Sequence, residues 1–128
     1  MNYAVLAAVA AGGAIGSAAR YVLNGLIQSP AWGGFPFGIF VVNISGGLVM
    51  GLLTELMALK WNVSLELRAF LTTGILGGYT TFSTFSLDSV MLIQRHAYGQ
   101  AAFYVAGSTL LSILALFAGL WIVRVIYA

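Results

Sequence analysis

The sequence predicts an all-α integral membrane protein with four transmembrane helices, the third of which is broken near its middle. Of the 128 residues, 61% are hydrophobic and only 6% are charged, whereas a soluble domain carries roughly 25% charged residues. Four apolar stretches also reach the length of about 20 residues that a membrane helix needs. With so few charges the chain could not cover a water-facing surface, so lipid must surround most of it.

The four predicted spans follow one another closely along the chain. They cover approximately residues 4–27, 37–59, 67–93 and 100–123. Short connections favour side-by-side packing of successive helices, and Trp32, Trp61 and Trp121 lie near span ends, where aromatic rings suit the membrane interface. No internal repeat or second domain is visible, so we expect residues 1–128 to form a single domain.

The composition excludes several classes of function. There is no cysteine, and hence no disulfide, thiolate metal site or cysteine nucleophile. The net charge is only +2 and the five basic residues are scattered, which is unlike a nucleic-acid-binding surface. The single histidine and the scattered serines form no triad pattern. The chain is therefore predicted not to be an enzyme and not to bind nucleic acid.

The basic residues are divided almost evenly between the two sides of the predicted bundle. Lys60, Arg68 and Arg124 fall on one side, and Arg20 and Arg95 fall on the other. The imbalance of Lys and Arg between loops sets the orientation of a membrane protein. A three-to-two division either leaves both orientations open or is just sufficient to fix one. Insertion in both orientations would favour an antiparallel, dual-topology dimer, since two-fold pairs dominate among oligomers.

The third span carries the most informative segment, residues 74–86, which reads GILGGYTTFSTFS. Glycine and threonine both weaken a helix relative to alanine, so a break is expected near residues 77–81. Broken backbone at membrane depth is tolerated only inside protein or beside a water-filled path, and its freed carbonyls can bind a cation. The alternative is a close-packing glycine face whose hydroxyls bond back to their own helix. The added run of hydroxyl residues favours the break.

Polar side chains also occur in the second and fourth spans. Asn43 lies midway along the second, where its amide could either hold an anion or form an interhelical hydrogen bond. Tyr104, Ser108 and Ser112 are spaced four residues apart and therefore share one helix face. This stripe indicates either a solute path or hydroxyl contacts between helices.

Three charged residues fall within or near the spans. Arg20 could attract anions to a vestibule through its positive field, or it could extend to the lipid head groups. Acidic residues inside membranes usually mark function. Glu55, however, is close enough to Lys60 to be interfacial, and Asp88 could pair with a basic residue. The sequence leaves the roles of both acids open.

Together these residues resemble the Fluc (CrcB-type) fluoride channel family over nearly the whole chain. The similarity rests on residues 12–16 and Arg20 in the first span, Gly38 and residues 42–46 in the second, and above all residues 74–85 in the third. One departure is Ile39, since family members often have threonine after the glycine that matches Gly38. Any role of that hydroxyl is therefore in doubt here.

The resemblance implies a multi-pass channel of the bacterial inner membrane that exports fluoride passively and limits its toxicity. It implies an antiparallel homodimer with two pores and a structural sodium ion at its centre. The carbonyls of Gly77 and Thr80 would hold the sodium ion, Arg20 would lie in a vestibule, and the pore would be lined by Asn43, Phe82, Phe85, Tyr104, Ser108 and Ser112.

These roles suit the chemistry of fluoride, which is small and strongly hydrated. Amide and hydroxyl hydrogens can replace its water shell, and the positive edges of aromatic rings can contact it without binding it tightly. Without the resemblance, Phe82 and Phe85 would favour simple packing. Two other hypotheses stay open at this point: a small proton-coupled multidrug exporter, which needs an acid deep in a span, and a membrane scaffold that transports nothing.

Overall fold

A computed structural model describes residues 1–127, which form a bundle of helices. The elements are α1 (Tyr3–Ile27), a 3₁₀ turn (Pro30–Trp32), α2 (Phe37–Leu59), α3 (Leu65–Ala69), a π-helical segment (Phe70–Leu76), α4 (Gly77–Tyr79), α5 (Phe82–Gln94) and α6 (Tyr98–Tyr127). Three of these, α1, α2 and α6, are each long and apolar enough to cross a membrane. The third predicted span corresponds to the consecutive pieces from α3 to α5.

The start of α1 is capped by Asn2, since its Oδ1 accepts hydrogen bonds from the backbone N–H groups of Ala4 and Val5.

The chain between α1 and α2 is held by the side chain of Gln28, the residue that follows α1. The residue before α2 is Pro36, which makes no side-chain cap. Instead, Gln28 Oε1 accepts from the N–H of Gly38 at 3.0 Å, while Gln28 Nε2 donates to a carbonyl of the loop at 2.9 Å.

The helices pack in two groups, α1 against the third span and α2 against α6. Both contacts depend on glycine, because helices in lipid associate through close backbone approach rather than a hydrophobic driving force. A Cβ added to Gly16 of α1 would overlap the carbonyl oxygen of Ile75, and one added to Gly119 of α6 would lie 2.5 Å from the carbonyl oxygen of Leu48. These positions therefore set the depth of each crossing.

The third span is interrupted at Thr80 and Thr81, inside the segment where the sequence predicts a break. Both residues have extended backbone, with φ/ψ of −80°/158° and −149°/123°. In a continuous helix the N–H of Thr81 would donate to the carbonyl of Gly77, but here it donates to Asn43 Oδ1 at 2.8 Å. The helix restarts because Thr81 Oγ1 accepts from the N–H of Thr84 and so caps α5.

A cluster of buried, mainly aromatic side chains lies at one end of the bundle. Its buried members are Phe35, Ile39, Phe40, Leu92, Ala101 and Tyr104. Tyr104 is completely buried and Ile39 is only 4% exposed. The isoleucine that departs from the usual threonine is therefore part of a packed apolar core around the tyrosine ring.

Candidate pore site

A groove of about 420 Å³ runs along the helix break between α2, α5 and α6. Its walls combine neutral polar groups with large apolar side chains. The polar residues are Asn43, Thr80, Thr81, Ser108, Thr109 and Ser112, and the larger apolar ones include Met50, Phe82, Phe85, Ile113 and Leu116. Among the described residues that line it there is no Asp, Glu, Lys or Arg, so the groove offers hydrogen-bond donors without fixed charge.

Two hydroxyls in this groove have no hydrogen-bond partner within the described residues. Ser108 Oγ and Ser112 Oγ are both buried and unpaired, which is rare because buried polar groups are nearly always satisfied. Neighbouring hydroxyls behave differently, since Thr109 donates to the carbonyl of Val105 at 2.8 Å and Thr80 donates to the carbonyl of Leu76 at 2.9 Å. The two serines are thus the hydroxyls free to bind a solute.

Asn43 bridges α2 to the helix break through both ends of its amide. Its Oδ1 accepts from the N–H of Thr81 at 2.8 Å, and its Nδ2 donates to the carbonyl of the same residue at 3.1 Å. An amide nitrogen carries two hydrogens, so one donor is left over in a side chain that lines the groove. The interhelical bond and an anion contact, posed as alternatives by the sequence, are therefore compatible.

The two phenylalanines of the motif line the groove as a pair. The ring centroids of Phe82 and Phe85 are 5.6 Å apart, and the ring of Phe85 lies 5.3 Å from that of Tyr104. Phe85 is half-buried, whereas Phe82 is 80% exposed in the single chain. Both rings line the same groove as the two unpaired serine hydroxyls.

The stripe on α6 divides into two parts. Ser108 and Ser112 line the groove, but Tyr104 lies deeper, in the aromatic cluster, and is not among the groove residues. Its hydroxyl donates to Asp88 Oδ2 at 2.9 Å. Asp88, for which the sequence suggested a basic partner, therefore accepts from a tyrosine.

The remaining intramembrane acid, Glu55, is buried against α6. The nitrogen Nε of Arg124 lies 2.9 Å from Glu55 Oε1. The sequence placed Glu55 close enough to Lys60 to be interfacial, and its partner Arg124 lies in the last turn of α6. The ammonium of Lys60 itself lies 5.3 Å from the ring centroid of Tyr127. Neither Glu55 nor Asp88 faces the groove.

Arg20 and the carbonyls expected to hold a cation lie at the break itself. Arg20 Nε donates to the carbonyl oxygen of Gly78 at 3.2 Å, and Arg20 is not one of the groove residues. The carbonyl of Gly77 has lost its helical donor to Asn43, as described above. Within residues 1–127 no group of three or more His, Cys, Asp or Glu side chains could hold a metal, so a cation here would depend on backbone oxygen.

Sequence reasoning missed two residues that shape the site. Ser45 Oγ lies 2.9 Å from the hydroxyl of Tyr79 and joins α2 to the end of α4. Thr81 provides both the partner of Asn43 and the cap of α5. A signal for Thr81 was present, since a threonine that opens an apolar helical run is a typical N-cap, but its pairing with α2 depends on tertiary packing.

Comparison with known proteins assigns the chain to a family. Residues 7–120 match the family described as CrcB-like protein, Camphor Resistance (CrcB). The chain belongs to the CrcB family. Its similarity to CrcB-type relatives extends over nearly its full length, as the sequence resemblance predicted.

Several relatives carry the name fluoride-specific ion channel FluC. One from Agrobacterium fabrum is 52% identical over 115 residues, covering 90% of this chain and 92% of the relative. One from Nitrobacter winogradskyi is 48% identical over 128 residues, covering 98% and 100%. One from Caulobacter vibrioides is 50% identical over 121 residues, covering 94% and 95%. CrcB relatives are thus named as channels, which agrees with the prediction that the chain is not an enzyme.

Proposed function

We propose that this chain forms a fluoride-selective channel of the bacterial inner membrane that lets fluoride leave the cell passively and so limits its toxicity. The names of the CrcB relatives support the substrate. The observation that carries the proposal is the pair of unpartnered hydroxyls, Ser108 and Ser112, in an uncharged groove lined by Phe82 and Phe85.

The groove suits an anion that must lose water quickly and then leave. The serine hydroxyls and the spare amide hydrogen of Asn43 would replace part of the hydration shell of fluoride. Neutral donors and ring edges hold an ion more weakly than an ammonium or guanidinium would, and weak binding lets the ion move on. Tyr104, next to Phe85, would extend the polar track beyond the groove.

The active unit in this proposal is an antiparallel homodimer with two pores. Phe82 is 80% exposed in the single chain although it belongs to the groove, so one wall of the groove is open to a neighbouring molecule. The almost even division of Lys and Arg between the two sides favours insertion in both orientations. A second, inverted copy would then complete each groove.

A structural sodium ion at the dimer centre belongs to the same proposal. The backbone at Gly77 and Thr80 fits such an ion, because unwound carbonyls in broken membrane helices coordinate sodium and the helical donor of Gly77 is bonded elsewhere. The ion would join the two copies at their helix breaks. Arg20, at the carbonyl end of α4, would contribute positive field near the vestibule.

Anion efflux from liposomes tests the channel, with fluoride and chloride electrodes run in parallel. We expect fast fluoride loss while chloride is retained. Phe82→Ile should slow fluoride flux by about five- to tenfold, since an aromatic edge contact is worth about 1.0–1.4 kcal/mol. Ser108→Ala should slow it by about three- to tenfold, the equivalent of one hydrogen bond.

Matched variants separate pore effects from general damage. Thr109→Ala removes the hydroxyl next to Ser108, which already donates to its own helix. Phe117→Ile changes an exposed ring outside the groove. Both variants should keep normal fluoride flux. Unchanged flux in Phe82→Ile and Ser108→Ala would contradict the pore assignment. Proton-driven efflux of a lipophilic cation that Asp88→Asn abolishes would instead support an exporter.

A further inference from the structure

Arg20 is placed at the carbonyl end of α4 by the glycine contact between α1 and the third span. Gly16 lies one helical turn before Arg20, and its missing side chain lets α1 touch the backbone of Ile75. The guanidinium therefore reaches the last turn before the break, where its Nε donates to the carbonyl oxygen of Gly78 at 3.2 Å. Arg20 is half-buried there.

This end of the helix attracts positive charge. The carbonyls at a helix C-terminus lack donors and carry the negative end of the helix dipole. At the break, the N–H of Thr81 donates to Asn43 and the N–H of Thr84 donates to Thr81 Oγ1. In a continuous helix these two N–H groups would donate to the carbonyls of residues 77 and 80. Those carbonyls therefore lack their usual helical donors. Arg20 donates to the carbonyl of Gly78, which lies between them in sequence.

The charge of Arg20 is not balanced by a carboxylate within the described residues. The only ion pair found in residues 1–127 joins Arg124 to Glu55. The guanidinium and any cation on the neighbouring carbonyls would thus repel each other directly.

We propose that Arg20 is a built-in cationic cap of the α4 half-helix, which lowers the affinity of the Gly77 and Thr80 carbonyls for a monovalent metal cation. This inference rests on the cation site of the proposed function. In the absence of the cation, Arg20 satisfies one freed carbonyl and stabilises the break. When a cation is bound, the positive charge of Arg20 repels it and keeps the site from holding the ion too tightly. Arg20 is thus a positioning residue that tunes the cation site from beside it.

Thermal unfolding of the purified full-length protein tests the inference without any flux measurement. Sodium chloride replaces choline chloride at constant ionic strength, and the sodium concentration that gives half of the maximal protection is determined. Arg20→Gln keeps an N–H donor but loses the charge, so this concentration should fall about tenfold. Arg20→Lys keeps the charge and should stay near the wild-type value. Arg95→Gln is the matched control, because Arg95 also donates to a glycine carbonyl, that of Gly34, at 3.4 Å but lies away from the break.

Three results would overturn the inference. They are an unchanged sodium requirement in Arg20→Gln, an equal shift in Arg20→Gln and Arg20→Lys, and no sodium-specific protection of the wild type. If Arg20→Gln does not fold, Arg20→Met provides a second neutral variant and carries the same expectation. Fluoride efflux from liposomes, measured separately, distinguishes the two failures: a wild type that passes fluoride but lacks sodium protection refutes the cation inference alone.

Discussion

Hydroxyl groups inside the spans fall into two chemical classes that only their hydrogen bonds distinguish. Thr72, Ser86 and Ser89 each donate to the carbonyl four residues earlier in their own helix, which satisfies the hydroxyl locally. Ser108 and Ser112 make no such bond and are buried in the groove wall. In the proposed channel, the unsatisfied hydroxyls mark the solute path, and the number of hydroxyls in a span is a poor guide to it.

Asn43 should contribute separately to stability and to conduction. Asn43→Ala removes both hydrogen bonds to Thr81 and should lower the free energy of unfolding by about 1–3 kcal/mol, given the usual net worth of such bonds. Asn43→Asp keeps the acceptor for the N–H of Thr81 but loses the amide donors and adds negative charge beside the groove. Fluoride efflux should therefore fall about tenfold or more in Asn43→Asp, because a charge repels the anion at close range.

Asn24→Ala is the control for this pair of variants. Asn24 is also a half-buried amide within a span, but it belongs to α1 and lies away from the groove. It should keep normal efflux. If Asn43→Asp conducted as well as the wild type, Asn43 would serve only to hold the break.

At the scale of elements, the break in the third span is held from two neighbouring helices. Asn43 of α2 binds Thr81 within the interruption, and Ser45 of α2 binds Tyr79 just before it. Arg20 of α1 binds the last turn before it. The segment before the break is also π-helical from Phe70 to Leu76, a form often found at functional sites. These contacts make the break a defined conformation.

The contact between α1 and the third span should be sensitive to a single methyl group. Gly16→Ala would place a Cβ against the backbone oxygen of Ile75, and backbone cannot move aside as a side-chain tip can. We expect a loss of about 1–3 kcal/mol in the free energy of unfolding, as for overpacking in a core. Denaturant or thermal unfolding in detergent measures it, and displacement of Arg20 from the break should reduce fluoride efflux as well.

Gly13→Ala is the internal comparison, since a Cβ there meets nothing within 4 Å. Alanine is the better helix former by about 0.8–1.0 kcal/mol, so this variant should be as stable as the wild type or slightly more so. Equal stability of the two alanine variants would contradict the close backbone contact.

At the scale of the whole molecule, many large apolar side chains face outward. Phe82 at 80%, Tyr21 at 82% and Leu26 at 78% exposure would be unfavourable in water. In a membrane, lipid covers such side chains at little cost. Phe82 differs from the other two because it lines the groove that also contains the unpaired hydroxyls of Ser108 and Ser112. In the proposed dimer, this side of the groove would face the second copy.

The balance of positive charges leads to a prediction about orientation. Asn62→Lys, in the exposed loop between α2 and α3, changes the three-to-two division of Lys and Arg to four-to-two. Because this bias sets orientation, most molecules should then insert one way, antiparallel partners should be scarce and fluoride efflux should fall. Gln94→Lys, on the opposite side, equalises the division at three-to-three and should leave efflux near normal.

Two controls make this prediction specific. Asn62→Gln changes the same exposed side chain without adding charge and should behave like the wild type. Asn62→Lys combined with Gln94→Lys restores a four-to-three division and should recover efflux. Full efflux from Asn62→Lys alone, with a loop reporter showing a single orientation, would rule out the antiparallel arrangement.

The sequence by itself determined the class of the protein, its spans and the position of the break. Low charge and long apolar stretches leave lipid as the only suitable solvent, so α2 begins and ends at the residues expected from hydropathy. Residues 77–81 combine weak helix formers, and the interruption falls among them. The motif of the third span also pointed to the family that the comparisons established. These features are local, and local composition is what a sequence displays directly.

Only the tertiary structure decided which partner each polar group takes. Tyr104, Ser108 and Ser112 share a helix face, yet the tyrosine is bonded to Asp88 while the serines are unpaired. Glu55 pairs with Arg124, which is 69 residues away in sequence. In a medium without water every buried polar group must find a protein partner or a solute, and that choice depends on distances between helices which the spacing within one helix cannot specify.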